Sequence, residues 1–256
     1  MLDLTQFVHE IQTAGYAIVR DVLTKDYISR AKEELMAAIE AETKLPYNNK
    51  NDFAMVLLCS LYGGTMLELF ANEKLNNHFN AVLGEGCTVY AYTSSSMPPH
   101  QANYSARIHV DCPRIIPGFI TNMGATIALD DFTEDNGATY LLPGSQERAE
   151  APGEEEFYAM ARRFVAPAGS VLFFNARIWH SGGQNKTEAW RHALTVNMAR
   201  PWMKQRIDIP RAMAHMDLSG QPASVLQKLG FLAQVPADYA EYYAAPEKRK
   251  YRQKAE

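Results

Sequence analysis

Three observations predict a mainly β fold, a sandwich or jelly roll with helices added in front. Apolar residues recur at helical spacing as far as about residue 83, and beyond Gly84-Glu85-Gly86 the period changes to two. Short alternating runs then follow one another, punctuated by Asn136-Gly137, Pro143-Gly144-Ser145 and Pro167-Ala168-Gly169. Finally, polar residues with metal-binding chemistry stand in one early run (His109-Val110-Asp111) and one late run (His180). A rolled double sheet narrows to a mouth where two such strands meet.

Taken in order, residues 5–14 read as a short helix with Phe7 and Ile11 on one face and Gly15 as its stop. Residues 16–20 alternate as a strand. Thr24 caps a longer helix to about residue 42, with Ile28, Ala31, Leu35 and Ile39 at helical spacing. Leu23 and Ile28 stand where a hydrophobic staple would place them. The polar stretch 44–52, with Pro46 and two asparagine-rich steps, reads as a loop over the site. Two or three helices fill 53–83. Strands are expected at 87–93, 105–112, 119–130, 138–142, 170–175, 178–181 and 191–200, with a helix inserted at 154–163. After Pro210 an Ala-, Met- and Arg-rich tail is helical again and fades into charge. No internal repeat or low-complexity segment interrupts this order.

The 256 residues, 47% hydrophobic and 21% charged, suit one globular domain. We divide it into a helical part over about 1–86, a jelly-roll core over about 87–203 and a helical tail over about 204–256. A net charge of −4, without basic stretches interleaved with aromatics, argues against nucleic acid as a partner. The cluster Lys248-Arg249-Lys250-Tyr251-Arg252 reads as a solvated tail. Cys59, Cys87 and Cys112 are odd in number and far apart, which suits a reducing compartment. No secretion signal opens the chain and no apolar run is long enough to span a membrane, so a cytoplasmic location without membrane partners is expected. The sequence is compatible with a homodimer and does not fix the oligomeric state.

Residues two apart on a strand point to the same side, so His109 and Asp111 project together. Two histidines and one carboxylate are the facial triad that holds non-haem Fe(II), which makes His109, Asp111 and His180 the candidate metal and catalytic residues. Each alone reads as an ordinary polar residue at a sheet end; together, with Arg191 following, they read as a site. His215-Met216-Asp217 repeats the spacing, but in a helical segment where residues two apart diverge, and no histidine follows it. Arg191 shares a strand face with Ala193, Thr195 and Asn197, opposite apolar Leu194, Val196 and Met198. It should face a cavity, where its fork suits a dicarboxylate. Thr126 shares a face with Asn122, Gly124 and Ala128, small residues that leave room for a bound molecule. Arg107 should face the same cavity as His109, either as an anchor for a substrate carboxylate or as half of a salt bridge. Tyr104 and Trp179 are near enough in sequence to be weighed as substrate contacts against loop packing, as are Asn103 and Arg114. Trp190 and Trp202 read as core or rim aromatics, and His9, His78, His100 and His192 as structural.

The blocks Gly15-Tyr16-Ala17-Ile18-Val19-Arg20-Asp21-Val22-Leu23, Ala128-Leu129-Asp130-Asp131, Asp135-Asn136-Gly137-Ala138, Leu142-Pro143-Gly144-Ser145 and Gly169-Ser170-Val171-Leu172-Phe173-Phe174 carry a resemblance. Its most specific stretch is His180-Ser181-Gly182-Gly183-Gln184-Asn185-Lys186-Thr187 with Arg191 after it. The chain resembles the phytanoyl-CoA dioxygenase family of Fe(II)- and 2-oxoglutarate-dependent oxygenases. That resemblance implies a double-stranded β-helix core, iron at His109, Asp111 and His180, and 2-oxoglutarate anchored by Arg191. The chain departs from the family pattern at three places. Gly182 stands where a small hydroxyl residue is common and the serine is Ser181, carried here as a cosubstrate contact with Thr126. Gln146 replaces the histidine of Pro-Gly-Ser-His, and Thr126 falls where an aromatic often flanks the cosubstrate.

The resemblance implies dioxygen-dependent oxidation of an unactivated C–H bond in a small molecule, with release of succinate and carbon dioxide. Halogenating relatives lack the acidic ligand that Asp111 supplies, so hydroxylation is the expected outcome, although desaturation, epoxidation and ring closure share the same chemistry. Two other classes are weighed beside it: a non-catalytic jelly-roll binding protein, and a cupin-type metalloenzyme that does not use 2-oxoglutarate. The Arg191 block argues against the latter.

Overall fold

The computed structural model describes residues 3–45 and 55–249. Helix α1 (Leu4–Thr13) opens on a capping box in which the Asp3 carboxylate accepts the Gln6 N–H and the Gln6 side chain returns the bond. Its Phe7 and Ile11 are buried, as their spacing predicts. Gly15, at φ +84°, turns the chain into strand β1 (Tyr16–Val19). Helix α2 (Lys25–Thr43) starts where Thr24 accepts the N–H of Tyr27, and buries Ala31, Leu35 and Ala38. Two further helices, α3 (Gly64–Glu68) and α4 (Glu73–Leu83), lead into the sheets, with Asn72 capping α4.

The sheets use strands β2 (Thr88–Ser94), β3 (Asn122–Ala128), β4 (Tyr140–Leu141), β5 (Arg162–Arg163), β6 (Val171–Asn175), β7 (His180–Ser181) and β8 (Ala193–Ala199), with helix α5 (Glu154–Met160) inserted before β5. One sheet has the order β1-β6-β3-β8-β2 and the other β5-β4-β7, and every pairing is antiparallel. Short helices α6 (Ile209–Ala212), α7 (Ala223–Lys228) and α8 (Tyr239–Tyr242) complete the described chain.

The alternation of each strand decides what the two faces of the large sheet cover. Met123, Ala125, Ile127, Leu194, Val196 and Met198 join Phe7, Leu35 and Phe79 in one core beneath the helices. The Phe173 ring lies there against Phe7, His78 and Phe79. On the opposite, inner face Ala128, Leu172, Phe174 and Ala193 pack with Phe132, Leu141, Phe164 and Ile178. Helices thus wrap the outside of a double-stranded β-helix, and the inner face is left for a site.

Several predicted boundaries move. The strand expected at 105–112 is a loop carrying one bridge pair, His109 with His180. Its backbone follows its partner with a slipping register: Gly182 donates to Ser105 O, His109 and His180 exchange both bonds, and Cys112 donates to Ala176 O. No continuous ladder survives such slips. The helix expected at 154–163 ends at Met160, because Arg162 and Arg163 pair with β4 and the Arg163 guanidinium stacks on the Tyr140 ring. The predicted loop at 44–52 lies, from residue 46 onward, outside the described residues. Among the described residues no helix is long and apolar enough to cross a membrane.

Candidate metal centre

The bridge between the 105–112 loop and β7 brings the triad together. His109 N–H donates to His180 O at 2.9 Å and His180 N–H returns to His109 O at 2.9 Å. Their imidazoles stand with centroids 4.2 Å apart. Asp111 Oδ1 lies 3.6 Å from His109 Nε2 and 3.8 Å from His180 Nε2, and one ligand atom from each residue falls within a 4.8 Å cluster. Among the described residues this is the one such group of three histidine, cysteine or acidic side chains. His215 and Asp217 are exposed and outside it; the Asp217 carboxylate accepts the Ser219 N–H.

Both rings are oriented from behind by backbone carbonyls. His109 Nδ1 bonds Arg107 O at 2.7 Å and His180 Nδ1 bonds Ile178 O at 3.0 Å. A carbonyl can only accept, so each Nδ1 carries a hydrogen, and each Nε2 is the nitrogen turned toward Asp111 and available to a metal. Burial lowers the pKa of His180. For His109 burial acts in the same direction, but hydrogen bonds to Asp111 and to Arg107 O outweigh it and hold the ring above its ordinary value. Burial likewise opposes ionisation of Asp111, yet the two imidazoles and Asn197 keep its carboxyl below the usual range. Two neutral nitrogens and one carboxylate oxygen are the donor set of a non-haem Fe(II) site, and these residues fit it.

Arg191 is buried at 2% exposure. Its Nη1 donates to Ser95 O (3.1 Å) and its Nη2 to Gly137 O (3.3 Å), while the Phe132 ring lies 4.1 Å beneath the guanidinium carbon. Its buried Nε has no partner, and among the described residues no carboxylate lies within ion-pairing distance. Burial pulls the pKa down to about 10, which leaves the fork charged at neutral pH. A buried cation with an open donor demands an anion. A carboxylate of 2-oxoglutarate fits that demand.

The remaining predicted residues take varied places. Thr126 lies on the inner face of β3 and is buried, with no side-chain hydrogen bond to the described residues. The room expected beside it at Gly124 is filled: a Cβ built there would run into the Phe174 ring. Phe174 in turn stands 5.1 Å from His180. Ser181 is fully buried and its hydroxyl donates to Gly182 O. Trp179 packs with Leu142 and Phe157, its indole N–H donating to Arg148 O at 3.1 Å. Tyr104 donates to Ser94 O at 3.4 Å and lies within electrostatic reach of both Asp111 and Arg191. Arg107 is exposed and pairs with no acid among the described residues, so the salt-bridge alternative finds no partner.

Two contributors escaped the sequence reading. Arg177 is buried and clamps Cys112 O and Arg148 O, holding the chain just beyond Asp111. Asn197 was placed on the inner face of its strand without a role; its amide lies 3.5 Å from Asp111 Oδ2. The strand alternation was the signal for Asn197, whereas nothing local marks Arg177.

Comparison with known proteins agrees with this geometry. The sequence model of the phytanoyl-CoA dioxygenase family matches residues 11–193. An uncharacterized protein of Mycobacterium tuberculosis, Rv1501, is 30% identical over 261 residues, covering 97% of this chain and 94% of that protein. The dioxygenase FUM3 of Gibberella moniliformis is 30% identical over 111 residues, 43% of this chain and 36% of its own length. Among solved structures, AviO1 from Streptomyces viridochromogenes superposes with a TM-score of 0.66 at 21% identity, over 80% of this chain and 98% of that one. The non-haem α-ketoglutarate-dependent carbocyclase SnoK gives 0.62 at 19% identity, over 77% and 83%. These structures share the fold. The family match over most of the sequence, with the full-length relative beside it, shows that this chain belongs to the phytanoyl-CoA dioxygenase family of iron- and 2-oxoglutarate-dependent dioxygenases.

Proposed function

We propose that this chain hydroxylates an unactivated C–H bond of a small metabolite or natural-product intermediate, and that residues 1–256 form one catalytic domain. The observation that carries the reading is the pairing of a His-Asp-His cluster with a buried, anion-seeking arginine on the inner face of the same fold. His109, Asp111 and His180 hold the iron, and Arg191 takes the distal carboxylate of 2-oxoglutarate. When bound, the iron and 2-oxoglutarate supply the oxidation of the C–H bond by dioxygen, with succinate and carbon dioxide released. The chain contributes the rest. Carbonyls of Arg107 and Ile178 fix the imidazoles, Phe174 walls one side of His180, and the buried Thr126 hydroxyl, without a hydrogen bond among the described residues, serves as a donor to the cosubstrate. The Asp111 carboxylate occupies the third ligand position and supports hydroxylation over halogenation.

Substrate choice falls to the exposed edge of the site. Arg107, two residues before His109 in the same loop, presents an exposed guanidinium with no acidic partner among the described residues, and Tyr104 lies within electrostatic reach of both Asp111 and Arg191. An anionic group on the substrate would answer Arg107. The test is succinate formation by purified protein with Fe(II) and 2-oxoglutarate, screened by mass spectrometry against carboxylated and uncharged metabolite pools. Carboxylated compounds should stimulate succinate release and gain one oxygen, and Arg107→Gln should raise their KM without changing that of 2-oxoglutarate. Stimulation by uncharged compounds alone would remove Arg107 from substrate binding. Failure of any compound set to give succinate in a metal-replete protein would count against catalysis.

A further inference from the structure

Asp111 is the least supported of the three ligands. Both histidines are pinned through ring nitrogens to backbone carbonyls and through the bridge to each other, whereas Asp111 sits in a loop without a ladder and its side chain is 27% exposed. One of its oxygens, Oδ1, faces the imidazoles. The other is met by a row of buried side chains from the large sheet. Asn197 Nδ2 on β8 lies 3.5 Å from Asp111 Oδ2, Asn122 Nδ2 on β3 lies 3.1 Å from Asn197 Oδ1, and Thr121 Oγ1 lies 2.8 Å from Asn122 Oδ1. Cys112 Sγ closes the row at 3.8 Å from Thr121 Oγ1, next in sequence to the carboxylate where it began. Asn122, Asn197 and Cys112 are each less than a tenth exposed.

The polarity of this row follows from donor and acceptor counts alone. An ionised carboxylate only accepts, so Asn197 must turn its NH2 toward Asp111. Its carbonyl oxygen then needs a donor, which the NH2 of Asn122 supplies at 3.1 Å. The Asn122 carbonyl in turn takes the Thr121 hydroxyl. Reversing any member would aim a carbonyl oxygen at the carboxylate or leave a buried polar atom unpaired, each costly in a dry interior.

We infer that Asn197 is a positioning residue, and that the Thr121–Asn122–Asn197 row braces Asp111 Oδ2 so that Oδ1 alone is presented to the metal. The backbone bonds of Cys112 hold only the main chain beside Asp111, and the row ties the carboxylate itself to β3 and β8. Substitutions around metal ligands of this kind typically weaken metal affinity by about ten- to a hundredfold. The inference rests on the triad reading above.

Mn(II) serves as the probe, titrated into the purified full chain and followed by the electron paramagnetic resonance signal of the free ion. Asn197→Ala should raise the Mn(II) Kd about tenfold, and Asn122→Ala about threefold, since it only frees Asn197 to rotate. Because both act through one row, the double variant should bind no more weakly than Asn197→Ala alone. A purely structural role would instead lower the melting temperature in proportion and leave Mn(II) affinity of the folded fraction intact. Wild-type affinity in both folded single variants, or losses that add in the double variant, would overturn the inference. Should Asn197→Ala fold poorly, Asn122→Ala and Thr121→Val carry the test from farther away, and wild-type affinity in both would overturn it equally. Asp111→Ala separates the two levels. If it binds Mn(II) like wild type the triad reading fails, whereas if it loses affinity and the row variants do not, only the row fails.

Discussion

The two His-x-Asp tripeptides differ in one physical respect: the chain around His109 is bridged to His180, and the chain around His215 is bridged to no histidine. His215→Ala should therefore leave Mn(II) affinity and succinate formation unchanged, and His180→Ala should abolish both; a titration of each variant decides the assignment. Arg191 makes a second, sharper prediction at this scale. Lysine keeps the charge but lacks the planar fork that reaches Ser95 O, Gly137 O and an anion together. Arg191→Lys should raise the KM for 2-oxoglutarate about tenfold, roughly 1.4 kcal/mol, and change turnover at saturating 2-oxoglutarate much less. An unchanged KM would exclude Arg191 from the cosubstrate site. These residues were legible in the sequence because their chemistry is scarce: two imidazoles, a carboxylate and an arginine at strand spacing have few other uses. Arg177 and the Thr121–Asn122–Asn197 row were not legible, since an asparagine or arginine becomes specific only through neighbours that the fold supplies.

Among the elements, β3 and β6 set how closely the inner wall approaches the triad. Gly124 pairs with Phe174 across the ladder, and only the missing Cβ lets that ring lie flat over β3 and beside His180. Gly124→Ala should push Phe174 toward His180, destabilise the chain by about 1–3 kcal/mol and weaken metal binding; adding Phe174→Leu should restore part of both. Denaturant melts and Mn(II) titrations of the single and double variants check this, and a neutral Gly124→Ala would show that the ring relaxes elsewhere. Here the sequence was read correctly as to face and wrongly as to purpose. Alternation placed Gly124 with Asn122 and Thr126, but the volume a glycine frees is claimed by whichever neighbour is largest, and pairing partners are invisible before the sheet order is known. The same ignorance explains the 105–112 segment. Alternation marked His109 and Asp111 as partners, but the backbone there is a loop rather than a strand, because its register to Ala176, His180 and Gly182, far along the chain, slips.

At the scale of the whole molecule, the division between outer core and inner face was legible from period alone: the large apolar residues of β3 and β8 went to the helices, and their small and polar ones to the inner face. Within that outer core His78 is the anomaly. It lies between Phe7 and Phe173, its Nδ1 bonded to Lys74 O at 2.6 Å and its buried Nε2 without a partner. Burial lowers its pKa below the ordinary imidazole value near 6.5. The unfolded chain therefore takes up a proton before the folded one does, so stability falls as pH drops through 6.5 and levels off below the folded pKa. His78→Phe, which keeps an aromatic ring there, should shrink the loss of melting temperature between about pH 7.5 and pH 5.5; an equal loss in the variant would assign that pH dependence to other groups. One feature of the architecture also reaches into time. The hydrogen-bonded pair that joins His109 to His180 closes a loop holding β3 to β6, so the metal pocket is made of chain ends that meet only after the long-range pairings form. Closing such loops is slow compared with forming helices. During refolding, helical circular dichroism should therefore recover before the capacity to bind Mn(II), making the ion a clock for the last stage of folding; simultaneous recovery would mean that the two histidines meet before the sheet is built.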